Sequence, residues 1–121
     1  MRKDKHAPVT DENLIEIICE AAETKKALDI KALDVRKISA MVDFWIICSV
    51  ESEPQLRALE KEIDARLREN NIKGFIWQGT VQSGWIVLDL GSIVVHLMGQ
   101  KERAYYNLEE LWGKEAIIYH Y

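Results

Sequence analysis

The sequence predicts a single α/β domain, a mixed sheet of about five strands with helices packed against it. Three observations predict it. Apolar residues recur at helical spacing after Thr10 and again after Ser52. Short runs rich in β-branched and aromatic residues follow each of these segments. The stretch Trp85 to Met98 reads as two strands joined by Gly91-Ser92, a glycine-first hairpin turn. The resulting order is α-β-β-α-β-β-β-α.

Thr10 is placed to cap the first helix, with Asp11 and Glu12 in the turn where the helix dipole favours acids. Leu14, Ile15, Ile18 and Ala22 form its apolar stripe, and Lys25 and Lys26 suit its C-terminal end. Ile30 to Val35 reads as a strand. Phe44 to Ser49 is a second, nearly all apolar and therefore central in the sheet. Ser52-Glu53-Pro54-Gln55 starts the next helix: Ser52 caps, Gln55 reaches back, and proline is tolerated in a first turn. Leu56, Leu59, Ile63 and Leu67 are its buried stripe. Glu53/Arg57 and Glu62/Arg66 are spaced for surface ion pairs worth roughly 0.3 kcal/mol each. Asn70-Asn71 and Gly74 end the helix. Phe75 to Gln78 is a third strand, and Gly79 to Gly84 a loop.

A tight turn at Gly91-Ser92 sets Leu90 opposite Ile93, Leu88 opposite Val95 and Ile86 opposite Leu97. That face is wholly apolar and belongs to a core. Alternation puts Trp85, Val87, Asp89, Val94, His96 and Met98 on the other face. Large apolar groups mixed with an acid and an imidazole are unusual for a simple solvated face, which marks a candidate contact surface. Trp85 is a core aromatic under a second layer or an interface anchor. The mixed polarity around it favours the anchor, since tryptophan is enriched at binding hot spots. Lys101 to Trp112 reads as the last helix, with Tyr105, Leu108 and Trp112 on one stripe and Gly113 closing it. Ala116 to Tyr121 is a short apolar tail, either a strand or a partner-dependent segment. The expected organisation is a mobile N-terminus over 1–9, a domain over 10–113 and a tail over 114–121.

With 121 residues, 48% of them hydrophobic, the chain suits one domain with a modest core. Its apolar runs fall short of the roughly 20 residues that span a bilayer. Met1 to His6 lacks a following hydrophobic segment and so does not form a signal peptide. Cys19 and Cys48 form no C-x-x-C and read as reduced core thiols. A cytoplasmic location follows. The net charge is −4, with lysines and arginines interleaved among acids. No basic patch for nucleic acid is evident, so a basic protein is the better partner.

Arg103-Ala104-Tyr105-Tyr106-Asn107-Leu108-Glu109-Glu110-Leu111-Trp112 has the form R-x-x-Y-x-L-E-x-L-W. Together with the hairpin W-I-V-L-D-L-G-x-I-V-V-H, and with Ala32-Leu33-Asp34-Val35 and Asp43-Phe44-Trp45-Ile46-Ile47-Cys48, it resembles the ribosomal silencing factor (RsfS, Iojap) family over about residues 12–113. The resemblance implies a nucleotidyltransferase-like fold. It further implies binding to the large ribosomal subunit through ribosomal protein L-fourteen, which blocks joining of the small subunit and lowers translation when nutrients are scarce. The matching positions are Asp34, Asp43, Trp85, Asp89, Gly91, His96, Arg103, Tyr106, Leu108, Glu109, Leu111 and Trp112. Two segments depart from the family: Val50-Glu51-Ser52-Glu53-Pro54 lacks a glycine and an arginine, and Gln78-Gly79 stands where Glu-Gly is common.

Nucleotidyl transfer on such a fold needs clustered carboxylates for magnesium and a glycine-rich turn for phosphates. The turn Cys48-Ser49-Val50-Glu51-Ser52 has no glycine, and no D-x-D occurs. Glu51-x-Glu53 reads more simply as acid at a helix N-terminus, and Asp29, Asp34, Asp43 and Asp89 are scattered. His96 is a lone strand histidine, and His6 and His120 give no metal-ligand spacing. No catalytic residue, cofactor or metal is expected. The expected partner-binding residues are Trp85, Asp89, Val94, His96, Met98, Glu102, Arg103 and Tyr106. Of these, Trp85, Val94 and Met98 would supply apolar contacts, Asp89 and Glu102 charge, and His96 a hydrogen bond. A large-subunit assembly factor, a nucleotidyltransferase-like enzyme and a homodimer off the ribosome stay open.

Overall fold

The computed structural model describes residues 9–120. The mobile segment expected over 1–9 lies, except for Val9, outside the described residues, as do His6 and Tyr121. The elements are α1 (Asp11–Thr24), β1 (Leu28–Asp34), β2 (Phe44–Val50), α2 (Glu53–Glu69), β3 (Ile76–Thr80), β4 (Trp85–Asp89), β5 (Ile93–Gly99), α3 (Gln100–Tyr106) and β6 (Ile117–His120), with 3₁₀ turns at Leu108–Leu111 and Lys114–Ala116. They form one mixed sheet in the order β3-β4-β5-β2-β1-β6. Only β5 and β2 run parallel; the other neighbours are antiparallel.

The caps are those the sequence predicts. Thr10 Oγ1 accepts from the Asn13 N–H at 3.1 Å, and Ser52 Oγ from the Gln55 N–H at 3.2 Å. Gln55 does more than a capping box. Its Oε1 accepts from the Glu51 N–H, one residue earlier than expected, and its Nε2 donates to the carbonyls of Lys25 and Lys26. One side chain thus ties the start of α2 to the end of α1. Glu62 pairs with Arg66 at 2.7 Å, whereas Glu53 and Arg57 do not pair among the described residues.

One face of the sheet packs against α1 and α2. Ile15, Ile18 and Ala22 from α1 and Leu56, Leu59, Ile63 and Leu67 from α2 meet Ile46, Cys48, Ile86, Leu88, Val95 and Leu97 from the strands. Burying such a set is the main source of stability. The hairpin has the expected register, Ile86 opposite Leu97 and Leu88 opposite Val95, closed by the Leu90 N–H on the Ile93 carbonyl at 2.9 Å.

The apolar tail takes the strand alternative, and two further expectations need correction. The sheet has six strands, because Ile117–His120 adds to the free edge of β1. An open edge beside an apolar tail is a pairing that periodicity within either segment cannot reveal. The last helix stops at Tyr106, where Asn107 turns left-handed (φ 45°), and a 3₁₀ turn follows. The stripe Tyr105, Leu108 and Trp112 is therefore broken: Leu108 and Trp112 pack on the sheet and Tyr105 is 81% exposed. Gly79 and Thr80 belong to β3 and not to the loop. Gly79 has φ 89°, and a Cβ there would lie 2.3 Å from the Trp85 carbonyl oxygen, so the backbones approach as only glycine permits.

Candidate partner-binding face

The reverse face of the sheet carries Trp85, Val87 and Asp89 from β4 beside Met98, His96 and Val94 from β5. Continuing across the parallel pair, it carries Ser49, Ile47 and Trp45 from β2. Side-chain alternation makes this one surface, but the chain covers only part of it.

The covered part lies over β5, β2 and β1. Leu33, Val35, Ile47, Met98 and Ala116 are buried there, with Trp45, Trp85, Leu108, Trp112 and Ile117 packed around them. Met98 is 1% exposed and His96 6%. Neither presents a side chain to solvent, contrary to their expected roles as an apolar contact and a hydrogen bond to a partner. Instead the Trp85 indole Nε1–H donates to His96 Nδ1 at 3.1 Å. An Nδ1 that accepts belongs to a neutral ring with its proton on Nε2. Burial pushes the His96 pKa down from 6.5 to about 4, which keeps the ring in that form. The Trp45 ring lies 4.4 Å from the His96 ring and 4.9 Å from Trp112, the latter edge-on.

Arg103 is also turned inward, at 8% exposure. It donates to both carboxylate oxygens of Glu109 at 3.1 and 3.2 Å and pairs with Asp29 at 3.2 Å. Lys31 completes the set on Glu109 at 2.8 Å, and His120 meets Asp29 at 2.5 Å. Burial raises the Glu109 pKa, but the hydrogen bonds from Arg103 and Lys31 outweigh it and the pKa is lowered. Asp29 reaches the cluster from an irregularity in β1, where its backbone is left-handed (φ 51°). Arg103 thus clamps α3 and the following turn to the sheet, which is why it does not face outward.

The open part lies over β3 and β4. Here Trp85 is half-buried, with the Tyr106 ring 4.7 Å away and Tyr105 edge-on to Tyr106 at 5.0 Å. Between α3 and the strands is a concavity of about 880 Å³, lined by Trp85, Val87, Glu102, Ala104, Tyr105 and Tyr106 among others. Asp89 is exposed, and its Oδ1 accepts from the Gly91 N–H at 2.8 Å, which shapes the hairpin turn. Val94 is half-buried between the two parts. Of the eight expected contact residues, Trp85, Glu102 and Tyr106 come together at the concavity, and Asp89 and Val94 lie at the other end of the hairpin. Tyr105 and Ile76, both exposed beside this region, were not foreseen. Ile76 sits opposite Asp89 on the edge strand, a position that alternation along β3 could have indicated.

No group of three or more His, Cys, Asp or Glu side chains is placed to hold a metal ion among the described residues. Cys19 and Cys48 are buried, and burial pushes both thiols up to about 12, where they are inert as nucleophiles. No helix of the described residues is long and apolar enough to cross a membrane.

The family model described as "Ribosomal silencing factor during starvation" matches residues 8–119. The ribosomal silencing factor RsfS of Bacillus subtilis is 38% identical over 105 residues, covering 87% of this chain and 89% of that protein. A crystal structure of a Chromobacterium violaceum protein superposes with a TM-score of 0.80 at 29% identity, covering 88% of each chain. One from Bacillus halodurans superposes with a TM-score of 0.74 at 38% identity, covering 84% of this chain and 95% of that one.

Proposed function

The chain belongs to the ribosomal silencing factor family, and from that premise we propose that it binds the large ribosomal subunit through ribosomal protein L-fourteen and blocks joining of the small subunit, repressing translation under nutrient limitation. The observation that supports this reading is the open half of the reverse sheet face. There Trp85, Tyr105 and Tyr106 stand with the acid Glu102 around one concavity on a rigid sheet, and Asp89 lies at the other end of the same strand. Exposed aromatics on a fixed scaffold are what a protein interface uses as anchors. An acidic chain is also drawn toward a basic ribosomal protein.

In this proposal Trp85, Tyr106 and Val94 make apolar contact, and Asp89 and Glu102 meet basic groups. Met98, His96 and Arg103 act from beneath: His96 holds the Trp85 indole, and Arg103 holds α3 against the sheet. The mechanism is steric and requires no chemistry. A domain of about 120 residues has a radius of gyration near 14 Å, enough to bar a partner surface from the interface it occupies. Off the ribosome, two copies in the cytoplasm would pair through the same apolar patch, a homodimer that competes with the subunit. Light scattering of purified subunits tests the reading. Adding this protein to large subunits first should suppress joining in proportion to occupancy, and normal joining at saturation would sink it.

A further inference from the structure

We propose that the concavity beside Trp85 is a cage for one arginine side chain of the partner, with Glu102 as its counter-charge. The proposal names the chemistry that the partner brings to the site described above, and to that extent rests on the ribosomal reading.

Glu102 is half-buried at the start of α3 and makes no hydrogen bond or ion pair among the described residues. Glu62, Asp64 and Glu109, of similar burial, are matched by Arg66, by Arg68, and by Arg103 and Lys31, whereas the side chains of Glu60 and Asp43, like that of Glu102, make no hydrogen bond or ion pair among the described residues. The Glu102 carboxylate lies in a slot made by two glycines. A Cβ on Gly84 would come within 2.5 Å of its Cδ, and one on Gly99 within 2.4 Å of its Oε1. Either would push the carboxylate out of the slot.

Glu102 also lines the concavity that holds Trp85, Tyr106 and Tyr105, with Val87 and Ala104 completing an apolar lining. An aliphatic guest would fill this space but desolvate an unpaired carboxylate, which is unfavourable. An anionic guest would be repelled. A cation on a long apolar stem satisfies both demands, with the stem on Val87 and Ala104, the charge on Glu102 and the ring faces beside it. Arginine fits better than lysine, because its planar guanidinium stacks on aromatic rings and donates two parallel bonds to a carboxylate. Lys101 lies on the rim, exposed and without an ion pair to Glu102 among the described residues, and its charge opposes such a guest.

The test is a titration of the protein with N-acetylarginine N-methylamide, following the Trp85 indole N–H and the Tyr106 ring by NMR. The expected result is a saturable shift at both, absent with the neutral citrulline analogue. Glu102→Gln should weaken it about tenfold. Gly99→Ala should do the same, since its backbone (φ −66°, ψ 160°) accepts alanine and only the carboxylate is displaced. Lys101→Ala should strengthen it. Equal shifts with citrulline, or an unchanged titration in Glu102→Gln, would overturn the cage. Co-sedimentation with large subunits separates the two proposals. If the wild-type protein fails to sediment with them, the ribosomal reading falls and the arginine titration still decides the cage. If wild type and Glu102→Gln sediment equally well, the cage falls while the ribosomal reading stands.

Discussion

Against α1 and α2 the sheet presents Ile46, Cys48, Ile86, Leu88, Val95 and Leu97, aliphatic or small side chains sealed from water. On its reverse, the same strands present Trp45, Ile47, Trp85, His96 and Met98, a set in which indole and imidazole groups carry polar handles. The first face is buried over β1, β2, β5 and β4 beneath two long helices. The second is covered over β5, β2 and β1 by a short helix, a 3₁₀ turn and a clamped arginine, and is left open over β3 and β4. The difference teaches where each kind of constraint acts. On the helix-covered face only volume and apolarity matter, so a lost methylene is a loss of stability. On the reverse face hydrogen bonds fix the orientation of large rings, so that a change there acts on binding as well as on folding.

The comparison breaks most visibly at Leu88, which is fully buried. Leu88→Ala should cost roughly 2–5 kcal/mol of stability, the range for a cavity in a packed core. Denaturant unfolding checks it, and the fraction that stays folded should bind large subunits as well as wild type does. A loss of affinity without a loss of stability would reverse the assignment of the two faces.

His96 gives the next effect, and its sign follows from the direction of its shift. In the folded protein its pKa is about 4, below the ordinary 6.5. The unfolded chain therefore binds a proton between those two values that the folded chain refuses. The contribution is fully present above pH 6.5 and is lost as the pH falls toward 4, amounting to about 3 kcal/mol. Unfolding free energies at several pH values, for wild type and His96→Phe, isolate it from the carboxylates. The wild type should show the steeper fall on acidification. Parallel curves would mean that the imidazole is not held neutral by burial.

Trp85 should separate folding from binding. Trp85 packs at the border of the buried cluster and stays partly exposed, so Trp85→Ala should cost only about 1–2 kcal/mol of stability. Large-subunit affinity should fall further, by about 2 kcal/mol or more, as truncation of an anchor does. Calorimetric or denaturant stability and subunit co-sedimentation give the two numbers. If the whole effect is on stability, the open half is simply an unfinished core.

The helix-covered face was legible in the sequence almost residue by residue. Leu56, Leu59, Ile63 and Leu67 recur at helical spacing, and a two-residue turn at Gly91-Ser92 leaves one register for Ile86, Leu88, Val95 and Leu97. The reverse face was legible only as a side. Alternation correctly puts Trp85, His96 and Met98 together, but it says nothing of what folds back over them. That cover depends on tertiary contacts. The helical pattern runs on through Leu108 and Trp112, yet Glu109 is drawn to Arg103 and Lys31, and Asn107 breaks the helix to allow it. The same clamp explains why Arg103 points inward. β6 likewise exists because β1 offers it an edge. Periodicity reports what a segment prefers; it does not report which distant carboxylate or strand edge will claim it.

The smallest effect sharpens the electrostatic part of the comparison. Asp89 is exposed at the hairpin tip, and the only hydrogen bond of its side chain among the described residues is the one its Oδ1 accepts from the Gly91 N–H at 2.8 Å. Asp89→Asn keeps an oxygen that can accept that bond and removes the charge, so stability should move by less than about 0.5 kcal/mol. A rim charge acts mainly on encounter, through its contribution to the long-range field. Association with large subunits, followed by stopped-flow fluorescence, should slow about two- to threefold at low salt. Dissociation should be unchanged. At roughly 1 M salt, where the screening length is about 3 Å, wild type and variant should associate at the same rate. A rate difference that survives high salt would mean that Asp89 makes a short-range contact in the bound state. An unchanged rate at low salt would place the acidic attraction elsewhere on the chain and leave the aromatic anchors as the only role of this face.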